Sequence, residues 1–163
     1  AGSGMGQFDG PLGIAEDTSG RIYIVDKYND RIVRIDDMSG ANWATIGTAG
    51  SGSNQFNDPT GVFVDDSGQI YVADRANHRI VRFDDMSGTN WTAYGSNGSG
   101  VDQFSYPHQV RVGPDGRIYI SDQYNQRIVR VDDMTGAGWT TFGSTGSGES
   151  QFGSIGPNDF AFE

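Results

Sequence analysis

The sequence predicts an all-β chain that is built from three successive four-stranded antiparallel sheets and one further strand. The first observation is a repeat, because RIVRIDDM, RIVRFDDM and RIVRVDDM begin at Arg31, Arg79 and Arg127, always 48 residues apart. The second is that short runs of β-branched and aromatic residues alternate with turn residues throughout. Since self-similarity at one period defines a structural unit, the fold follows from how the units stack.

Each unit holds four strand-like runs, which in the second unit read GVFVDD, QIYVAD, HRIVRFDD and WTAYG. The turn sequences DSG, RAN and MSG separate these runs, and no stretch of about 12 residues has a helical period. An Asp and an Arg flank the turn between the second and third strands, and an ion pair between them would lock that turn. One Trp per unit predicts packing between neighbouring sheets. The residues concerned are Asp26, Arg31 and Trp43, then Asp74, Arg79 and Trp91, then Asp122, Arg127 and Trp139.

The repeat divides a single domain, residues 1–163, into units of about 1–48, 49–96 and 97–144. The first strand of a fourth unit follows in 145–163. Four-stranded units of about 40–50 residues are the blades of a β-propeller, so we expect three blades and one extra strand.

The second unit, P-x-G-V-F-V-D-x-x-G-x-I-Y-V-A-D-x-x-N-x-R-I-V-R-F, resembles the NHL repeat. The positions that match the motif are Pro59, Gly61, Asp65, Gly68, Ile70, Tyr71, Asp74, Asn77, Arg79 and Ile80. The resemblance implies a β-propeller, most often of six blades. It leaves function open, because members of the family bind proteins, RNA or ligands, and relatives of the fold include lyases and lactonases.

Composition excludes several classes of function. The formal charge of −10 and the pI near 4.4 argue against a nucleic-acid binder, because phosphate contacts need a surplus of Lys and Arg. Without cysteine there is no disulfide framework and no thiolate metal site. The longest apolar run is a few residues, so we expect a soluble chain with no membrane partner. An extracellular or periplasmic location is slightly favoured over a cytoplasmic one.

Three blades leave a ring open, since known propellers close with about four or more. An open arc exposes two flat blade faces, each larger than a monomer normally tolerates. We therefore expect the partner to be a second copy, with three plus three blades forming a closed homodimer. The alternative is that the chain is a piece of a longer propeller.

The extra strand, PNDFAFE, predicts strand exchange between copies. Glu16 stands where the other units place Val64 and Val112, and burying an unpaired carboxylate costs free energy. The sequence therefore suggests that the strand containing Phe160 and Phe162 completes a neighbour's blade, with Ala1–Asp17 displaced or at an edge.

A ligand site is expected where the units differ. The first strand of each blade should lie beside the central tunnel, and its second and third positions vary from Leu and Gly to polar residues. These polar residues are His108, Gln109, Asn158 and Asp159, with Arg111 two positions along. The alternative is a hydrated tunnel mouth that holds only ordered water.

Three functions remain open from the sequence. A binding or scaffold module for a protein partner is favoured, because rim loops vary between units. The second is a carbohydrate-binding propeller that uses Tyr28 and Tyr124, although Ala76 interrupts that pattern. The third is a fragment of a longer propeller with a metal or lyase-type site around His108. The similarity of the units also fits a recently amplified or engineered repeat with no evolved ligand.

No enzymatic activity is expected, because His108 is the one histidine available as a base or metal ligand in the tunnel strands. No cofactor is expected either. A calcium ion held by oxygens of Asn158, Asp159 and Glu16 is chemically permissible.

Overall fold

The computed structural model describes residues 1–146 and 148–152. They form three four-stranded antiparallel sheets, in each of which the strands lie side by side in chain order. We call these sheets blades 1, 2 and 3. Blade 1 contains β1 (Pro11–Glu16), β2 (Ile22–Asp26), β3 (Arg31–Ile35) and β4 (Ala44–Ile46). Blade 2 contains β5 (Pro59–Val64), β6 (Ile70–Asp74), β7 (Arg79–Phe83) and β8 (Thr92–Tyr94). A parallel ribbon of β9 (Ser96–Asn97) and β10 (Gln103–Phe104) then leads to blade 3, which contains β11 (Pro107–Val112), β12 (Ile118–Asp122), β13 (Arg127–Val131) and β14 (Thr140–Phe142).

A buried ion pair closes the turn between the second and third strands of every blade. In blade 2, Asp74 pairs with Arg79 across the β6–β7 register, and Arg79 Nε donates to Asp74 Oδ2 at 2.7 Å. Asp74 is fully buried, and it also accepts hydrogen bonds from Asn57 N and Asn77 Nδ2. Blades 1 and 3 have the same contacts, from Arg31 to Asp26 and from Arg127 to Asp122.

Each ion pair also fastens the connector that precedes its blade. Asn77 Nδ2 donates to the carbonyl of Gly50, and Arg79 donates to the carbonyls of Ser51 and Gln55. Blade 1 repeats this arrangement on Gly2, Ser3 and Gln7, and blade 3 repeats it on Gly98, Ser99 and Gln103. The turn, the blade and its leading connector therefore form one hydrogen-bonded unit.

The hydrophobic core lies between blades rather than inside one. Phe56 is fully buried at the boundary of blades 1 and 2, and its ring lies 5.2 Å from that of Trp91 and 6.4 Å from that of Phe83. Phe104 and Trp139 repeat the contact between blades 2 and 3 at 5.6 Å. Apolar residues on a blade face that has no neighbouring blade are therefore packed on one side only.

The first strands of the blades approach each other most closely at glycine. A Cβ atom added to Gly13 of β1 would lie 2.6 Å from the carbonyl oxygen of Thr60 in β5. A Cβ atom added to Gly61 would lie 2.7 Å from the carbonyl oxygen of His108 in β11. This narrow packing places β1, β5 and β11 on the inner side of the arc.

A change of register interrupts each first strand just after its proline, between Pro59 and Gly61 in β5 and between Pro107 and Gln109 in β11. Such bulges turn a side chain out of the regular alternation of the strand. Thr60 and His108 lie at these interruptions.

Residues 1–17 are expected to be displaced or at an edge, and displacement is not seen, because Pro11–Glu16 forms β1 and pairs with β2 as the edge strand of its own blade. The physical reason lies in the exposure of Glu16, whose carboxylate keeps contact with water and avoids the cost of burial. Phe160 and Phe162 lie outside the described residues, so strand exchange stays a prediction. Within 1–146 and 148–152, no helix is long and apolar enough to cross a membrane.

Candidate functional site

A cavity of about 220 Å³ lies where the inner ends of the three blades meet. Blade 1 and its turn contribute Lys27 and Tyr28, blade 2 contributes Thr60 and Arg75, and blade 3 contributes His108. The remaining wall is formed by Gly10, Pro11 and Leu12. We call this the inner cavity.

Two cations share one carboxylate beside the inner cavity. Asp58 Oδ1 lies 3.2 Å from Lys27 Nζ, and Asp58 Oδ2 accepts a hydrogen bond from Arg75 at 2.7 Å. The side chains of Lys27, Asp58 and Arg75 are each at most one-quarter exposed, so water screens them less than it screens surface charges. A second carboxylate lies close by, because Asp30 Oδ1 accepts a hydrogen bond from the backbone N–H of Asp58 at 2.8 Å.

Aromatic rings hold both cations in place. Lys27 Nζ lies 4.9 Å from the centre of the Tyr28 ring, and the Arg75 guanidinium lies 4.8 Å from that of Tyr106. Tyr106 in turn packs against Tyr124 at 4.7 Å. These contacts restrict the guanidinium to a narrow range of orientations.

His108 closes the wall of the inner cavity on the side of blade 3. Its side chain is 9% exposed, and its Nδ1 has no hydrogen-bond partner among the described residues. Burial lowers the pKa of His108, and the positive charges of Arg75 and Lys27 lower it further, while Asp58 opposes them. The imidazole is therefore neutral at pH 7, with one N–H donor and one acceptor nitrogen.

We expect the free energy of unfolding to decrease as the pH falls below about 6.5, the ordinary histidine value. The folded-state pKa of His108 is lowered, so the unfolded chain takes up the proton first. The stability that His108 contributes is complete above the unfolded pKa, and it is lost as the pH falls towards the folded pKa. Denaturant titrations of wild type and His108→Asn across this interval should show a smaller loss in the variant. Parallel losses in the two proteins would contradict the prediction.

Gln109 and Arg111, which the sequence grouped with His108, do not line the inner cavity. The backbone N–H of Gln109 donates to Ser121 Oγ at 2.9 Å, within blade 3. Arg111 packs its guanidinium over the ring of Phe63 at 5.3 Å and donates to the carbonyl of Val62, which places it along the blade 2 boundary. Burial lowers the pKa of Arg111. Asn158 and Asp159 lie outside the described residues.

Tyr28 and Tyr124 occupy matching turns and are both more than half exposed. Tyr28 lines the inner cavity, whereas Tyr124 packs on Tyr106 beside Arg75. Blade 2 stands between them with Ala76 at the equivalent position, and the guanidinium of its Arg75 lies 5.8 Å from the centre of the Tyr124 ring.

Sequence reasoning missed Lys27, Asp58, Arg75 and Tyr106. They occupy two further positions at which the units differ. One reads Gly10, Asp58 and Tyr106, and the other reads Lys27, Arg75 and Gln123. Comparing units along their turns, as was done along the first strand, would have found them.

No group of three or more His, Cys, Asp or Glu side chains suited to a metal ion occurs within residues 1–146 and 148–152. The calcium set proposed from Asn158, Asp159 and Glu16 rests on two residues beyond that part of the chain, so it stays a prediction.

Comparison with known families decides the identity of the repeats. The family model described as NHL repeat matches residues 56–83 and 104–131. Blades 2 and 3 carry NHL repeats. The resemblance predicted from the motif is thereby confirmed, and both matched segments begin in a connector and end with the third strand of a blade.

Solved structures show that the NHL chain has a propeller fold. A catalytically inactive virginiamycin B lyase from Staphylococcus aureus, solved with quinupristin, is 20% identical, with a TM-score of 0.61 over 82% of this chain and 41% of that one. Hydrazine synthase from Kuenenia stuttgartiensis is 13% identical, with a TM-score of 0.64 over 92% of this chain and 40% of that one. The NHL chain therefore spans about two-fifths of the length of these structures, as a three-bladed portion of a propeller. A comparison with curated proteins gave no match.

The expectation that the chain is not an enzyme is contradicted by these comparisons. Virginiamycin B lyase and hydrazine synthase are enzymes with the same fold, so neither the propeller nor the presence of a single tunnel histidine excludes catalysis. The likeness shows the fold, and it shows no activity of this chain.

Proposed function

We propose that this NHL chain is half of a binding propeller that closes head to tail with a second copy of itself. The observation that carries the proposal is that its two open faces are the two halves of its own internal boundaries. In blade 1, the open face is the one that points to a preceding blade, and the same face of blade 2 is buried against blade 1. In blade 3, the open face is the one that points to a following blade, and the same face of blade 1 is buried against blade 2.

The open face of blade 1 is apolar and only partly covered. An open groove of about 590 Å³ runs along it, lined by Phe8, Ile14, Ile22, Ile24, Ile35 and Met38. Ile14 is 64% exposed, whereas its counterpart in blade 2, Val62, is 1% exposed. The two residues occupy the same position of the repeat, 48 residues apart. The difference in exposure therefore arises because blade 1 covers Val62 and no blade covers Ile14.

The open face of blade 3 shows the complementary difference. Phe142 is 57% exposed, while its counterparts Ile46 and Tyr94 are 6% and 7% exposed. Those counterparts pack against the next blade along the chain. Phe142 therefore occupies a position that is built for contact with a following blade.

A second copy is the partner that fits both faces at once. The units share their register, so the boundary between blades 1 and 2 also describes how blade 3 of one copy meets blade 1 of another. Two identical contacts of this kind, related by a twofold axis, close a ring of six blades. A closed ring leaves no uncovered blade face, which supports this partner over an open chain of copies.

The joint between copies is more polar than the internal boundaries. Glu16 occupies the position of Val64, Gln109 occupies that of Gly13 and Gly61, and Ser121 occupies that of Val25 and Ala73. Fewer apolar atoms are removed from water at this joint than between blades 1 and 2. We therefore expect association that depends on protein concentration.

Light scattering across a range of concentrations tests the proposal. We expect a mass of twice the 17.5 kDa chain at high concentration. Ile14→Asp and Phe142→Asp should each move the dimer to monomer, because a buried unpaired carboxylate costs several kcal/mol. Val101→Asp is the matched control, because Val101 is 66% exposed in a loop, and this variant should associate as wild type does.

Three results would contradict the proposal. A folded wild-type monomer at every concentration would assign the open faces to blades of a longer chain, and polydisperse aggregate would do the same. Equal weakening by Val101→Asp would show that the added charge acts without regard to the faces.

A further inference from the structure

We propose that the inner cavity binds a small organic carboxylate, which Arg75 and Lys27 hold while His108 contacts it. This goes beyond the proposed ring. These three side chains come from the three blades of a single chain, and none of them lies on the open faces that the proposed ring closes.

The charge of the cavity sets the sign of the ligand. Lys27 and Arg75 together carry two positive charges, and Asp58 supplies one negative charge between them. Lys27 and Arg75 line the cavity, whereas Asp58 does not, so the wall favours a ligand that carries negative charge. Because Lys27 and Arg75 are shielded from water, their attraction to a negatively charged ligand is stronger than it would be on an open surface.

The cations retain unused donors. Within the described residues, the hydrogen bond of the Arg75 side chain is the one from its Nη1 to Asp58, and the cation of Lys27 contacts Asp58 and the ring of Tyr28. A guanidinium offers five N–H groups and an ammonium offers three, so several remain for a carboxylate. The stacking of Arg75 against Tyr106 fixes the plane in which those donors lie.

His108 is a third polar side chain of the cavity wall. It is more than nine-tenths buried, and its Nδ1 has no partner among the described residues. Because Nδ1 has almost no accessible surface, a ligand satisfies this atom when the imidazole turns towards the cavity. The Thr60 hydroxyl, by contrast, already donates to the backbone carbonyl of His108 at 2.8 Å.

The size of the cavity limits the ligand. A volume of about 220 Å³ is below the roughly 300–1,000 Å³ of pockets that hold drug-sized molecules. Tyr28 and Leu12 supply apolar surface on the blade 1 side. A carboxylate on a short chain or on one ring matches this combination of volume, charge and lining.

Binding of benzoate, followed by amide and side-chain NMR shifts, tests the proposal, with benzamide as its neutral counterpart of the same shape. We expect benzoate to shift signals of Thr60 and His108, and benzamide to bind at least tenfold more weakly. Arg75→Gln and Lys27→Gln should each weaken benzoate binding by tenfold or more. Arg117→Gln should leave it unchanged, because Arg117 is about half exposed and pairs with Asp115 and Asp132 on the outer surface.

Several results would overturn the proposal. These are equal affinities for benzoate and benzamide, equal losses in Arg75→Gln and Arg117→Gln, or no shift at millimolar benzoate in a folded protein. Tighter binding of inorganic phosphate than of benzoate would overturn the assignment to a carboxylate. A failed ring with intact benzoate binding, or the reverse, separates this proposal from that of dimer closure.

Discussion

Replacing Asp74 with alanine is expected to lower the free energy of unfolding by about 3–5 kcal/mol, the range for breaking a buried ion pair. Asp74 is fully buried and accepts from Asn57 N, Asn77 Nδ2 and Arg79 Nε at 2.7–2.9 Å. Alanine leaves all three donors unsatisfied and the buried charge of Arg79 uncompensated. Because Arg79 also holds Ser51 and Gln55, the loss extends to the connector. Chemical denaturation of the two proteins measures the difference.

Asp85→Ala is the control for that measurement. Asp85 also accepts several hydrogen bonds, from Ser87 and Thr89, but it lies in an exposed turn where water replaces them. Its removal should change stability far less than Asp74→Ala does. Similar losses in the two variants would show that burial of the pair has no special role.

Replacing Phe56 with alanine is expected to cost about 3–5 kcal/mol, as is usual when a large aromatic side chain is removed from a core. Phe56 is fully buried between blades 1 and 2, and its ring contacts those of Phe83 and Trp91. Phe8 is its equivalent in blade 1, where no preceding blade covers it, and its ring contact is with Trp43 alone among the described residues. We expect Phe8→Ala to cost clearly less in the dilute protein.

The pair of variants also reports on association. If blade 3 of a second copy covers blade 1, Phe8→Ala should weaken the dimer, whereas Phe56→Ala should chiefly weaken the fold. Denaturation at low concentration and light scattering at high concentration separate the two effects. Equal costs in the dilute protein would contradict the idea that the face of blade 1 is open.

The all-β fold and its blades could be predicted because periodic residues report periodic structure. Asp74 and Arg79 recur at one spacing in every unit, and the turn between them admits one strand pairing. The turn residues Asn29, Asn77 and Asn125 recur at one spacing in the same way. Structural features that all units share can therefore be predicted from the sequence alone.

The site was harder to predict because it is made where the units differ and where three blades meet. His108 was found, since a polar residue replaces Leu12 and Thr60 in an otherwise regular strand. Lys27 and Asp58 stand at turn positions where the units differ, but the contact between the two crosses a blade boundary, which the repeat spacing does not reveal. Arg111 was grouped with His108 from its position in the strand, whereas the packing on Phe63 directs it elsewhere.

The hydrogen bonds from Arg79 and Asn77 to the connector at Gly50 and Ser51 have a consequence for how such a chain can evolve. Each 48-residue segment contains both the Asn and Arg side chains and the connector to which they donate hydrogen bonds. A duplicated segment therefore brings all partners of these hydrogen bonds with it. Insertion or loss of a whole segment at Gly50 or Gly98 would leave the hydrogen bonds between turn and connector intact in every remaining blade. The number of blades can therefore change in single genetic steps, while the chemistry of each rim position diverges afterwards.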